Sequence, residues 1–390
     1  MEISEFLAPM TVETFMSDYF GKRPVQIRGA SPRGALLSTA RLQDLLSIRP
    51  HWTPENLKLI LNSRPILGEH FLDESDGSGP QRADPAKVQL FLQMGASLVG
   101  DHIEDVDQRV REAVAMLSKE FAGLTGANVY CSFQGIRAFN SHCDLHEVFA
   151  VQLEGDKTWQ IYENRAEAPI EPIQGTNAQE IIDQAKGKVT MTVEMQPGDL
   201  LYIPRGYFHD AIASSEASLH LTFGIAPLYG RYLFRMLEEL ASRDPTFRAD
   251  LPDGRRDPEE LRARLADLAD ATARMMRSPL FETMLVNRQR ALVTSVGAIG
   301  LKDLGKLEYY AATGRQAQVD WRPQGAVLCH ALGEEPLGAI GEPIEWALEQ
   351  QAFSRQQLEA RFHWLTQDEA RRVPEILTRL GLFAPYEPTV

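Results

Sequence analysis

The sequence predicts a mainly β domain of small-barrel or sandwich type, followed by a helical domain and a tail that mixes helices with short strands. Three observations carry this. From about residue 126 to residue 227, short segments of alternating polarity follow one another with tight turns between them, as in a closed or double-layered sheet. After Pro227 the apolar residues switch to helical spacing. The length of 390 residues, at roughly 150 per domain, leaves room for two to three such units. The chain is accordingly divided into 1–227, 228–318 and 319–390.

Taken in order, Phe15, Tyr19 and Phe20 stand at helical spacing, and KRPVQIRG then reads as a short strand entered through Pro24. EVFAVQL, the turn EGD and TWQIY read as two strands joined by a tight connection. VTMTVEM (Val189–Met195) alternates strictly, the turn QPGD leads into the strand LLYIP, and SLHLTFGI alternates again. Beyond Pro227, Leu233, Met236, Leu237 and Leu240 form a helical stripe. Asp257 is the expected N-cap of a further helix, with Pro258 at its first position and Glu260 three residues on. Leu261, Leu265, Leu268 and Met275 then continue as one stripe interrupted by Thr272, which packs either on its own domain or on a second subunit. The tail carries three helical patches, 345–351, 354–362 and 367–380, with Gly381 as a helix stop, an arrangement that resembles a winged helix. From residue 319 to the end there are 6 basic and 11 acidic residues, which argues against direct DNA binding and for a packing or protein-contact role.

Hydrophobic residues make up 44% and charged residues 24% of the chain, a composition that excludes collagen-like and largely disordered proteins. Asp and Glu number 54 against 40 Lys and Arg, so a net charge of −14 offers no global attraction to nucleic acid or an anionic membrane. Three cysteines, Cys131, Cys143 and Cys329, show no CxxC spacing and suit a reducing cytoplasm. The start MEISEFLAPM lacks the apolar core of a signal peptide, and no continuous apolar run approaches 18 residues, so a cytoplasmic protein without a membrane span is expected.

The chemistry concentrates in NSHCDLHEVFAVQLEGDKTW. His142 and Asp144 are two residues apart, so on a strand they point to the same face and can grip one ion together. His209 follows the turn and strand PGDLLYIPRGYFH, where a neighbouring strand of a small barrel could supply a third ligand. Two histidines and one carboxylate on one side of an ion leave positions open, the facial triad of non-haem Fe(II) oxygenases. Lys157, on the strand after the EGD turn, would send one cation into the barrel, as a 2-oxo dicarboxylate cosubstrate requires for its distal carboxylate. Against these stand the plain alternatives of structural strand histidines and a solvated turn lysine.

These residues also carry a family resemblance. NVY (residues 128–130), HCD (142–144), EVFAVQLEGDKTW (147–159), PGDLLYIPRGYFH (197–209) and HLT (220–222) are similar, in the same order, to the cupin-type JmjC ribosomal oxygenases. YFGKRPVQIRGA, the helical middle and the tail extend the resemblance over nearly the whole chain. It implies a double-stranded β-helix that uses Fe(II), 2-oxoglutarate and O2 to hydroxylate a side chain of a protein, often a ribosomal protein, with release of succinate and CO2. It also implies that His142, Asp144 and His209 are the iron ligands, that Lys157 holds the distal carboxylate, and that Asn128, Tyr130 and Thr222 line the cosubstrate pocket. A homodimer formed through the helical domain is expected, partly on the same ground.

The sequence departs from that family at Leu145 and His146, where an acidic and an apolar or aromatic residue are usual. If the strand continues, His146 shares the face of His142 and Asp144, where it contacts substrate, supports a ligand or is simply exposed; a role at the edge of the site, and not ligation, is the favoured expectation. Cys131 is expected near the pocket, Cys143 away from the metal, Trp159 and Phe149 in the barrel core, and His220 on the face of Ser218 and Thr222. Arg205 is either a surface turn residue or part of the substrate mouth. N-methyl demethylation, hydroxylation of a small molecule or peptide, sugar isomerisation on a divalent metal and a non-catalytic cupin scaffold are the competing functions. A negative groove would suit a basic ribosomal loop.

Overall fold

The computed structural model describes residues 1–29, 32–48, 51–73, 81–133, 139–214, 216–293 and 307–386, so residues 294–306 of the expected helical domain and the last four of the tail lie outside it. Contacts divide the chain into two units, Met1–Pro227 and Leu228–Val390.

The first unit is built on two antiparallel sheets. Its strands are β1 (Val25–Ile27), β2 (Leu57–Leu61), β3 (Arg64–Pro65), β4 (Ser97–Gly100), β5 (Gly123–Phe133), β6 (Glu147–Glu154), β7 (Lys157–Arg165), β8 (Val189–Met195), β9 (Leu200–Ile203), β10 (Tyr207–Ala213) and β11 (Ala217–Pro227). The large sheet runs β1-β9-β6-β11-β5-β4-β2-β3 and the small one β10-β7-β8. β5 and β11 pair along their whole length, from Ala217 opposite Phe133 to Pro227 opposite Gly123. Alternation then sorts the side chains. Ala127, Val129 and Cys131 of β5, Phe149, Val151 and Leu153 of β6, and Leu219, Leu221, Phe223 and Ile225 of β11 join one core. Val148 and Ala150 of β6 and Leu201 and Ile203 of β9 pack instead on Trp159, Ile161, Val193 and Met195 of the small sheet. The two sheets therefore face each other as a cupin-type barrel.

Helices close the outer face of the large sheet. α1 (Ile3–Leu7), α2 (Val12–Asp18), α3 (Thr39–Leu46), α4 (Pro85–Gln93) and α5 (Gln108–Phe121) precede or flank β5, and α6 (Ala178–Ala185) is inserted between β7 and β8. α5 is capped by Asp107, whose carboxylate accepts from the amides of Arg109 and Val110, and it buries Val110, Ala113, Val114, Leu117 and Phe121 at helical spacing. Phe149, expected in the barrel core, is fully buried there, on the outer side of the large sheet against Phe6, Phe15, Phe121 and Tyr202. Arg33 is fully buried and donates to the carbonyls of Phe6, Ala8, Ile27, Gly29 and Gly198, tying the amino-terminal segment to the turn before β9.

In the second unit, α7 (Leu233–Ala241) and α10 (Pro279–Ala291) bury Met236, Leu240, Leu280, Phe281 and Met284 together. α8 (Pro245–Arg248) leads to α9 (Pro258–Met276), which Asp257 caps by accepting from the Glu260 amide. Thr272 Oγ1 donates back to the Leu268 carbonyl, which satisfies the polar group that breaks the α9 stripe. Only Ala271 of α9 is buried, and Leu265 is 50% exposed. Further on come β12 (Tyr309–Ala312), a sheet of β13 (Ala317–Arg322), β14 (Gly325–His330) and β15 (Gly333–Pro336), then α11 (Gly341–Leu348), β16 (Ala352–Ser354), α12 (Arg355–Arg361), α13 (Gln367–Arg379) and β17 (Phe383–Tyr386). β12 lies between β16 and β17, so the tail sheet draws its middle strand from upstream of residue 319. Among the described residues no helix is long and apolar enough to cross a membrane.

Candidate metal centre

His142, Asp144 and His209 offer ligand atoms that all lie within 4.8 Å of one another. The way they meet differs from the expected strand face. Residues 143–146 are not strand, and β6 begins only at Glu147. His142 instead makes an isolated antiparallel bridge to His209, its amide donating to the His209 carbonyl at 3.0 Å and its carbonyl accepting from the His209 amide at 2.8 Å. The Asp144 carbonyl accepts from the Gly206 amide at 2.9 Å. Gly206 is needed there: its φ is +88°, and a Cβ would lie 2.6 Å from the Ala166 carbonyl oxygen.

Each histidine is oriented through its own backbone. Nδ1 of His142 lies 2.9 Å from the Asn140 carbonyl and Nδ1 of His209 lies 3.0 Å from that of Tyr207, which places the proton on Nδ1 and leaves Nε2 to ligate. Nε2 of His209 lies 3.4 Å from the Asp144 carboxylate. Burial and the neighbouring His142 push His209 down to about 4, against the pull of Asp144, so it is a neutral ligand at physiological pH. Burial raises the Asp144 pKa, but the imidazoles of His142, His209 and His146 outweigh it and hold the carboxyl below its ordinary range.

Deeper in the barrel, Lys157 is 4% exposed, and its Nζ lies 3.4 Å from His220 Nδ1 and 5.9 Å from the Trp159 ring centroid. Trp159 in turn lies 5.9 Å from the His209 ring, which puts the lysine and the triad in one lumen. Burial depresses Lys157 to about 7, and no carboxylate pairs with it among the described residues. Burial, reinforced by Lys157, keeps His220 well below its ordinary value and neutral. Tyr130 stacks on His220 at 4.7 Å, and burial together with the Asp144 charge raises its hydroxyl pKa, opposed by a hydrogen bond with the Asn128 side chain. Asn128 and Thr222 are opposite one another on β5 and β11, on the same face as Tyr130 and His220.

Cys131 does not line this lumen. It packs with the outer core, and the inner-facing neighbour is Ser132. Ser132 Oγ, Gln152 Oε1 and Trp159 Nε1 are buried without a hydrogen-bond partner among the described residues. Sequence reasoning does not single out Ser132 and Gln152, although strand alternation places both on the lumen face. Nor does it single out Gly224. A Cβ there would come within 2.8 Å of His146 Cε1, so the glycine makes room for the His146 ring beside the triad. Cys143 packs with Tyr162, Ile182 and Phe208, away from the ligand cluster.

The fold and the side-chain cluster define the class first: a cupin-type barrel holding two histidines and a carboxylate within ligating reach of a single ion. Residues 99–232 match the family profile described as JmjC domain. It is 30% identical over 225 residues to the bifunctional lysine-specific demethylase and histidyl-hydroxylase NO66 of Drosophila persimilis, an alignment covering 56% of this chain and 31% of that protein. It is 29% identical over 253 residues to ribosomal oxygenase 1 of Danio rerio, covering 63% of this chain and 45% of the relative. The chain thus spans less than half the length of these curated relatives. Among solved structures, the ribosomal oxygenase YcfD of Escherichia coli in complex with cobalt and 2-oxoglutarate superposes with a TM-score of 0.52 at 15% identity, over 97% of this chain and 99% of that one. That likeness is one of fold.

Proposed function

We propose that the protein is an Fe(II)- and 2-oxoglutarate-dependent oxygenase that hydroxylates a side chain of a protein, with a ribosomal protein as the favoured substrate. One observation carries the reading: a buried lysine with no carboxylate partner among the described residues shares its lumen with a His-Asp-His cluster. An isolated buried cation is costly, and a dicarboxylate that ligates a metal at one end and meets Lys157 at the other removes the cost. The unpartnered Ser132 Oγ, Gln152 Oε1 and Trp159 Nε1 fit the same polar guest. The names of the relatives, which include ribosomal oxygenases, favour the protein substrate.

In this reading His142, Asp144 and His209 hold the metal, and their donor set suits Fe(II) while leaving positions open. When bound, Fe(II) supplies the redox chemistry by which O2 and 2-oxoglutarate convert a C–H bond to C–OH, with succinate and CO2 as coproducts. The protein's own residues bind and orient. Lys157 holds the distal carboxylate, Asn128, Tyr130 and Thr222 line the cosubstrate, and the Asn140 and Tyr207 carbonyls fix the ring orientation of the two histidines. Trp159 and the apolar residues around it keep water from the lumen.

N-methyl demethylation on the same residues is the second reading, favoured by the demethylase named among the relatives. We further infer a winged-helix-like tail, supported by the order α11-β16-α12-α13-β17, a cytoplasmic location, and a homodimer formed through the helical segment that carries the half-buried α9 stripe. The test is succinate formation from 2-oxoglutarate with Fe(II) and ascorbate, wild type against Asp144→Ala, with and without ribosomal proteins whose intact masses are followed. Turnover that depends on Asp144 with a +16 Da product is expected. Formaldehyde without that product would move the assignment to demethylation, and turnover retained by Asp144→Ala would overturn it.

A further inference from the structure

We infer that Ser141, Asp210, Tyr162 and Lys186 form a positioning clamp that sets the spacing of the metal-ligand segments, an inference that rests on the triad reading above. Ser141 directly precedes His142, and Asp210 directly follows His209. The Ser141 hydroxyl donates to Asp210 Oδ2 at 2.8 Å, and the Tyr162 hydroxyl donates to the same oxygen at 2.6 Å. The backbone bridge between His142 and His209 is thus doubled by a side-chain link on the opposite side of the same two segments. The link adds a side-chain tie to the backbone hydrogen bonds that join a loop and a strand whose side chains must meet at one ion.

The link is buried and braced from outside. Ser141 and Asp210 are 4% and 2% exposed, so their hydrogen bonds are shielded from water. Lys186, which also pairs with Asp183 at 2.6 Å, donates from Nζ to Ser141 Oγ at 3.0 Å and lies 4.6 Å from the Tyr162 ring centroid. Gln179 of α6 donates to the Ser141 carbonyl at 3.3 Å, and Ile182 packs on Tyr162 and Phe208. α6 therefore holds the clamp as well as covering the small sheet. Its Gln179 reaches the residue before the first ligand.

The experiment titrates Co(II) alone, with its visible ligand-field absorption as readout, into the full chain as wild type, Asp144→Ala, Ser141→Ala, Asp210→Ala, Asp210→Asn and Tyr162→Phe. Asp210→Ala and Ser141→Ala are expected to weaken Co(II) binding about 10- to 100-fold and to alter the absorption even at saturating metal. Asp210→Asn keeps an oxygen able to accept both hydroxyls and is expected to stay within about threefold of wild type, with the wild-type spectrum. A purely structural role would lower the melting temperature yet leave the saturated spectrum unchanged, and that result would overturn the clamp. If Asp210→Ala fails to fold, Ser141→Ala decides by the same spectrum. Wild-type affinity in Asp144→Ala would fell the triad reading and the clamp with it, whereas loss there beside wild-type behaviour in Ser141→Ala would fell the clamp alone.

Discussion

Removing the Lys157 cation should cost cosubstrate binding in a pH-dependent way. Lys157→Met keeps the length and packing of the stem but leaves a dicarboxylate without its counter-charge. Truncating one member of a buried charge pair costs about 2–5 kcal/mol, a loss of about 30-fold to several thousand-fold in affinity. The wild-type lysine adds a signature of its own. With its pKa pressed to about 7 by burial, it is mostly protonated at pH 6 and mostly neutral at pH 8, while binding an anion requires the charged form. Apparent affinity for 2-oxoglutarate should therefore be flat below pH 6 and fall about tenfold per pH unit above 7, and binding at pH 8 should take up about 0.9 proton. A bound dication repels Lys157 and moves the midpoint down, which preserves the alkaline loss. Calorimetric titration of the Mn(II)-loaded protein in buffers of different ionisation enthalpy reads both quantities. An affinity constant from pH 6 to 8.5 without proton uptake, or Lys157→Met binding within threefold of wild type, would refute the reasoning.

Gly224→Ala should be destabilised by about 1–3 kcal/mol, because its new methyl meets the His146 ring, and adding His146→Ala should recover most of that in a double-mutant cycle of melting or denaturant midpoints. Arg33→Met leaves buried carbonyls without their donor, for an expected loss of about 3–5 kcal/mol and a fall of about 10 °C in melting temperature. Sedimentation should show a concentration-dependent dimer that Leu265→Lys, placed on the half-buried α9 stripe, shifts toward monomer; a concentration-independent monomer would remove the dimer.

Much of this was legible in the sequence because strand periodicity is a local property. Alternation along 217–227 already divides His220 and Thr222 from Leu219, Leu221 and Phe223, and Asp257-Pro258 marks a helix start by side-chain capping that needs no distant partner. The same alternation sets Ser132 on the lumen face and turns its neighbour Cys131 toward the outer core. Phe149 and Trp159 are core residues as expected, but which side of the large sheet each takes was not legible, since a large apolar residue suits either side of a sheet that is buried on both.

The sequence by itself determined which side chains could share the lumen and that their types, imidazole, carboxylate and one lysine, suit a metal and an anion. Only the tertiary structure decided how they meet. His142 reaches His209 through a single bridge rather than a continued strand, Gly224 yields its volume to His146, and Ser141 is tied to Asp210 far along the chain. These are contacts between residues distant in sequence, and no local pattern encodes them; they follow from which strands the packing of two sheets brings side by side. The depressed Lys157 has the same origin, because burial is a property of the closed barrel and not of the residue.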